Sequence, residues 1–318
     1  MSTIVQVRIG APKLKVPPEL AYVYVPPGYG DPANAHRHYP VIYLLHGYPG
    51  SPANWMSAGG VPDEMNALIG VRRIGPMIVV APNDFGGRPH DSECLNQFAG
   101  PQIADYLTGT VVRYIDAHFR TIPDRRGRAI GGLSSGGYCG LNLGLRQQGT
   151  FSVMVTFEPY GDPGRSVIRP LLGGSKKAYV ENSPTDYLGR LDIRQPMAAF
   201  LDVSGTFTRE IRRVETLAHQ LMARHVQVEF RIEPAQRHTW KEAVAGLPFA
   251  ISFAAHHLHD GMLTTHLTHR YTTVGTPAGD TMSRSVRAYP RLAASCRRRY
   301  GPKYIPAGTT FSRQCVRM

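Results

Sequence analysis

The first group in this chain that could do covalent chemistry is a serine flanked by glycines. Gly132-Leu133-Ser134-Ser135-Gly136 fits the pattern G-x-S-x-G. It follows the short apolar run "GRAIGG" and opens the helical pattern "GGYCGLNLGLRQQG". Glycine costs backbone entropy, so the Gly131-Gly132 and Gly136-Gly137 pairs at a strand–helix junction need a steric reason. A nucleophile elbow supplies one: the serine sits on a tight turn, and small neighbours let strand and helix close on each other. The Ser134 hydroxyl would then attack an acyl carbon, and the Ser135 backbone N–H at the helix N-terminus would stabilise the developing oxyanion. A plain Gly-rich turn is the competing reading. A phosphate cradle is disfavoured because no Gly-Lys-Ser/Thr follows.

A serine hydroxyl needs a base. Of the 13 histidines, His238 is best placed, in "RIEPAQRHTWKEA" between the last strand pattern and the last helix pattern. The alternative is a loop histidine that caps that helix. His256, His257 and His259 read as surface residues, and His46 as a support for the loop after the first core strand. The acid that orients the base should follow the strand "PMAAFLDVSG". Glu210, at a loop-to-helix position, is the favoured candidate and Asp202 the alternative. Each has a structural reading too, Asp202 as a strand-end carboxylate and Glu210 as a complement to its helix N-terminus. The second oxyanion donor should come from "HGYPGSPANW", where the Tyr48 N–H is available and Pro49 has none.

The elements that must position these groups are legible as periodicity. "YPVIYLLHG", "PMIVVAPND", "GRAIGG", "FSVMVTFEP", "PMAAFLDVSG" and "VQVEFRIEP" are short apolar runs of the kind buried on both faces of a mostly parallel sheet. "ELAYVYVPPGY" alternates and stops at Pro-Pro-Gly, as an antiparallel entry strand would. Helical patterns lie between them: "PDEMNALIG", Gln102 to Phe119, Gly136 to Gly149, "REIRRVETLAHQLMARH" and "TWKEAVAGLPFAISFAAHHL". The polar, Gly-rich stretch from about Gly161 to Leu188 is expected to run over the sheet as one wall of the pocket. Alternating strands and helices predict an α/β sheet with helices on both faces over residues 1–259. Residues 260–318 lose all sustained period and are expected to form a basic, poorly ordered tail.

Composition bounds the function. The 318 residues are 42% hydrophobic and 19% charged, an ordinary globular balance with a sizeable core. The net charge of +13 suggests nucleic acid, but residues 260–318 hold ten Lys and Arg against two Asp and Glu. Most of the excess therefore belongs to the tail, and no specific nucleic-acid partner is expected. "Cys296-Arg297-Arg298-Arg299-Tyr300" reads as a solvated charged segment. No apolar run approaches the roughly 20 residues of a membrane span. The first residues also lack the pattern of a secretory signal. Cys94, Cys139, Cys296 and Cys315 form no CxxC pair and sit beside no metal-spaced histidines, so no metal is expected. Cys94 and Cys139 are either a disulfide or two buried thiols.

At these residues the chain resembles the esterase D-like group of α/β-hydrolases, which includes feruloyl esterases, S-formylglutathione hydrolases and mycolyltransferases. The resemblance rests on "YPVIYLLHGYPGSPANW", "MIVVAPND", the run from Tyr106 to Leu145, "NSPTDYL" and "VQVEFRIEPAQRHTWKEAVAGLPFAISF". It implies an α/β-hydrolase fold and a serine ester hydrolase acting through an acyl-enzyme, without cofactor. Ser134 would be the nucleophile, His238 the base, and the Tyr48 and Ser135 N–H groups the oxyanion hole. The implied substrate is a small ester, carbohydrate-linked in some relatives, many of which are exported or envelope-associated. One departure stands out: Gly205-Thr206-Phe207-Thr208 has Thr where many such esterases have Asp. Two other readings follow from the same residues, an acyltransferase to a carbohydrate alcohol and a catalytically impaired hydrolase-shaped binding protein.

Overall fold

The computed structural model describes residues 1–234 and 236–258, together with the backbone of two strands, Tyr304–Thr309 and Ser312–Arg317. Eight strands of the main unit form one sheet in the order β1-β2-β4-β3-β5-β6-β7-β8. They are β1 (Thr3–Ala11), β2 (Val16–Val25), β3 (Val41–Leu45), β4 (Ile78–Pro82), β5 (Arg128–Leu133), β6 (Val153–Phe157), β7 (Ala198–Ser204) and β8 (Gln227–Glu233). β1 and β2 pair antiparallel, and β2 joins β4 antiparallel. From β4 through β3, β5, β6, β7 and β8 every pairing is parallel. The two later strands pair antiparallel with each other, and Ser312–Arg317 pairs antiparallel with β8. The expected tail contributes these two strands, and its remaining residues, with His259, lie outside the described residues.

Each residue of β3 is buried, and successive side chains enter different cores. Val41, Tyr43 and Leu45 belong to the core that also takes Leu141 and Leu143 of the helix Ser135–Arg146 and, further along the sheet, Val214 and Leu217 of the helix Thr208–Met222. Ile42 and Leu44 belong to the core that also takes Met65 of the helix Val61–Gly70 and Leu247 and Ile251 of the helix Trp240–His257. A strand with period-2 geometry and apolar residues at every position must be covered on both faces, and it is. The helix expected from Gln102 to Phe119 forms as Ile103–Asp105 and Val112–His118, joined by a π-helical stretch, Tyr106–Val111. Tyr106 there donates to the Ile9 carbonyl at 3.1 Å, which ties this helix to β1.

The parallel arrangement decides where chemistry can occur. All six parallel strands point their C-terminal ends the same way, so their following loops meet along one edge. That edge collects the loops bearing Tyr48, Ser134, Glu158, Glu210 and His238.

Candidate active site

Ser134 directly follows β5 and precedes the helix Ser135–Arg146. Its backbone sits at φ 60°, ψ −117°, a strained conformation for a residue with a Cβ. Two hydrogen bonds hold it there. The Ser134 N–H donates to the Phe157 carbonyl at 2.9 Å, and its own carbonyl accepts from Tyr138 N–H at 2.9 Å. Close approach explains the glycines. A Cβ on Gly136 would lie 2.2 Å from the Leu45 carbonyl oxygen, and one on Gly140 would lie 2.4 Å from Gly131 Cα. The elbow helix thus packs backbone-to-backbone on β3 and β5. The loop after β3 passes beside the serine, since a Cβ on Gly47 would meet Ser134 Cβ at 3.3 Å.

The register places a carboxylate next to this serine. Leu133 pairs with Phe157 across β5 and β6, so Ser134 and Glu158 are each the first residue beyond a paired strand end. Adjacent strands run about 4.8 Å apart. Glu158 also has positive φ, 51°. Its N–H donates to the Asp202 carbonyl at 2.8 Å, and its Oε1 accepts from Ser204 N–H at 2.9 Å. Its Oε2 lies 3.7 Å from His238 Nδ1, with the glutamate side chain 2% exposed and the histidine 38%. This is an ion-pair distance, longer than a hydrogen bond. Burial pushes the Glu158 carboxyl up; the Ser204 hydrogen bond and His238 oppose that, while the Glu210 charge adds to it.

His238 occupies the loop between β8 and the helix Trp240–His257, as expected from sequence. To meet Glu158 its loop crosses over β7, from β8 to the end of β6. Two contacts brace that crossing. The Thr206 hydroxyl donates to the Gln236 carbonyl. Trp240 packs edge-on against the buried Trp55, with ring centroids 4.8 Å apart.

The two acids favoured from sequence part company here. Glu210, in the first turn of Thr208–Met222, belongs to the cluster: ligand atoms of Glu158, Glu210 and His238 all lie within 4.8 Å of one another. Asp202 does not. It is fully buried on β7 and faces the last helix, where a Cβ on Gly246 would sit 2.1 Å from its Oδ2. Its neighbours are Arg231 at 3.9 Å and the carboxyls of Glu233 and Glu242, and burial with that crowding drives its carboxyl well up. Glu158 was missed in the sequence. The available signal was its place in "VTFEP", directly after the strand that neighbours β5.

Buried polar groups line the side of the elbow where the oxyanion hole is expected. His46 Nδ1 contacts the Gly47 carbonyl at 3.1 Å, and its Nε2 lies 3.1 Å from Asp84 Oδ1. Burial lowers the His46 ring, and burial together with the Asp91 charge raises the Asp84 carboxyl well above its usual range. The Gly47 carbonyl can only accept, so His46 Nδ1 carries a proton and donates to it. His46 therefore supports the Gly47-Tyr48 turn, the role expected of it. Tyr48 is half exposed and meets Phe85 edge-on at 5.7 Å. The Ser135 N–H opens its helix and has no intrahelical acceptor. The Asp91 carboxyl lies beside the Ser135 hydroxyl; burial raises it, and the neighbouring Glu93 N–H and Ser135 hydroxyl oppose that. Beside it, Glu93 is pushed up to about 8 by burial and by Asp91, and accepts from the Tyr160 hydroxyl at 2.6 Å. A disulfide between Cys94 and Cys139 fixes this acidic loop to the elbow helix, settling the pairing left open by sequence.

Comparison with known proteins agrees with this architecture. An uncharacterised protein of Corynebacterium glutamicum is 27% identical over 206 residues, which are 63% of this chain and 47% of that protein. The chain thus spans less than half the length of this curated relative. Among solved structures, a ferulic acid esterase superposes with a TM-score of 0.70 at 24% identity, covering 80% of this chain and 98% of that one. An S-formylglutathione hydrolase from Agrobacterium tumefaciens does so with a TM-score of 0.67 at 19% identity, covering 81% and 96%. The fold is that of the α/β-hydrolases. The Esterase family model, described as "Putative esterase", matches residues 19–259, more than half of the sequence, and the chain belongs to that family.

Proposed function

We propose that the protein is a serine carboxylic ester hydrolase working through an acyl-enzyme. Ser134 is the nucleophile, His238 the base, Glu158 the carboxylate that holds the imidazole, and the Tyr48 and Ser135 N–H groups the oxyanion hole. One observation carries this reading. A serine strained at φ 60° stands at the end of β5, and the glutamate at the neighbouring end of β6 lies 3.7 Å from His238. Membership of the esterase family supports it.

With Nδ1 directed at Glu158, the lone pair of His238 sits on Nε2, the nitrogen turned away from the acid. Ser134 Oγ attacks the ester carbonyl carbon as its proton passes to Nε2. The carbonyl π pair moves onto oxygen, where the two N–H groups receive it. The pair returns, the alcohol leaves with the proton from Nε2, and an acyl-enzyme remains. Water repeats the sequence and releases the acid. Glu158 stabilises the imidazolium in both halves. No cofactor takes part in these steps.

Similarity to a ferulic acid esterase makes feruloyl esters, including a feruloylated sugar, the first specific substrates to test beside p-nitrophenyl acetate and butyrate. The half-exposed Tyr48 ring beside the oxyanion turn suits an aromatic acyl group. Wild-type protein should release nitrophenol, and Ser134→Ala should abolish release and labelling by a fluorophosphonate. Turnover that survives Ser134→Ala removes the serine from the mechanism. Absence of both labelling and turnover in the wild type favours the binding-protein reading instead. Trehalose added to the assay reports acyl transfer if acylated sugar forms in place of free acid.

A further inference from the structure

The triad reading uses one carboxylate, yet two surround the imidazole. Glu158, Glu210 and His238 offer two oxygens and a ring nitrogen within 4.8 Å of one another, the one such grouping of metal-ligating side chains among the described residues. An ion at the centre of a triangle with 4.8 Å sides would be about 2.8 Å from each corner, so closing to bonding range needs about 0.7 Å of side-chain movement. The Glu158 oxygen is fixed, because its other oxygen is held by the Ser204 N–H. Glu210 is the adjustable member. Its Oε2 is shielded from solvent and has no hydrogen-bond partner among the described residues. The pocket therefore already contains a desolvated, unpartnered oxygen next to a second carboxylate, an arrangement that a cation relieves.

We propose that Glu158, Glu210 and His238 form an inhibitory site for a divalent transition ion, of which Zn2+ is the type, superimposed on the catalytic apparatus. An imidazole with two carboxylates selects Zn2+, Co2+ or Ni2+ over Mg2+ and Ca2+, which favour all-oxygen sites. A fourth position stays open to water, as with three protein ligands generally. The mode of inhibition follows from the tautomer and rests on the function proposed above. Neutral imidazole has one N–H and one lone pair. A metal that takes the Nδ1 lone pair leaves the proton on Nε2, and Nε2–H cannot accept the proton of Ser134. Bound ion thus removes the base without touching the nucleophile. Chelation reverses the effect, since no covalent bond has changed.

The test separates site from catalysis. Ser134→Ala protein, which keeps all three ligands, is titrated with Co2+ and read by its visible d–d absorption. The expected result is a saturating signal at one ion per chain. Ser134→Ala/Glu210→Gln should weaken binding at least about 10-fold, since loss of even an outer-sphere partner costs about 10–100-fold. Separately, Zn2+ is titrated into ester turnover by wild type and Glu210→Gln, each scaled to its own metal-free rate and each checked for an unchanged Tm. The half-inhibiting concentration should rise at least about 10-fold in the variant, and EDTA should restore both rates. Equal Zn2+ sensitivity of the two proteins, or Co2+ binding indifferent to Glu210, overturns the proposal. If metal-free wild type hydrolyses no ester, the function proposed above fails, while the Co2+ titration still decides the site.

Discussion

Glu158→Gln is the substitution on which the triad assignment turns. Glutamine keeps the shape and the oxygen that accepts from Ser204 N–H, so the variant removes charge and little else. In the proposed mechanism the charge stabilises the imidazolium that forms as Ser134 loses its proton. At the observed 3.7 Å, Coulomb's law with an effective dielectric of about 20–40 gives about 2–4 kcal/mol. The upper part of that dielectric range is needed because the His238 ring is 38% exposed. At 1.36 kcal/mol per decade, kcat/KM should fall about 30- to 1000-fold. The loss should appear in kcat, since a group that acts on the imidazolium contributes only once charge has developed. Glu210→Gln, measured beside it with p-nitrophenyl butyrate, should cost less than about 10-fold, because Glu210 as a residue is less buried than Glu158, and Glu158 remains beside the ring. The reasoning is refuted if the two results are exchanged. Near-wild-type turnover in Glu158→Gln with a hundredfold loss in Glu210→Gln would return the acid to the position favoured by sequence alone.

Further outcomes can be checked with ordinary assays. Gly136→Ala should fail to fold or lose several kcal/mol, read as Tm or soluble yield, because its Cβ would sit 2.2 Å from a backbone oxygen that cannot move aside. Cys94→Ser/Cys139→Ser opens a cross-link spanning 45 residues and should cost about 2–4 kcal/mol in denaturant unfolding. Glu93 is raised in the fold from 4.5 to about 8, so the folded state binds the extra proton. Its contribution to stability is complete below about pH 4.5 and is lost as pH rises toward 8. Tm should therefore fall across that window, and Glu93→Gln should flatten the fall; a slope unchanged in the variant would clear Glu93 of the effect.

Much of this fold can be read from the chain because its signals are local. Runs such as "VIYLL" and "VMVTF" are almost wholly apolar, and every position in them is buried, as in a doubly covered strand. The glycines around Ser134 announce close packing, and Gly136 and Gly140 are in backbone contact with β3 and β5. His238 is legible because its loop follows the last strand of a run that can be counted. The acid is not, because its identity depends on how far the His238 loop bends over the sheet edge. Turning toward β7 would favour Asp202, toward the next helix Glu210, and toward β6 Glu158. That choice is made by long-range contacts, Thr206 with Gln236 and Trp240 with Trp55, which leave no periodic trace. Asp202 reads as available because it lies near a strand end, yet its side chain points into the core beneath the last helix. The π-helical stretch at Tyr106–Val111 and the positive φ of Glu158 are likewise products of packing.

The Ser134 N–H grips the carbonyl of Phe157, the residue just before Glu158. The proposed nucleophile and acid are therefore fastened to one plank, while the imidazole arrives on a separate arm. Alignment of the three reduces to a single degree of freedom, the approach of that arm. Alterations in β5 or β6 should disturb everything at once, whereas exchanging the residues between β8 and the last helix retunes proton transfer alone. A protein engineer would begin there.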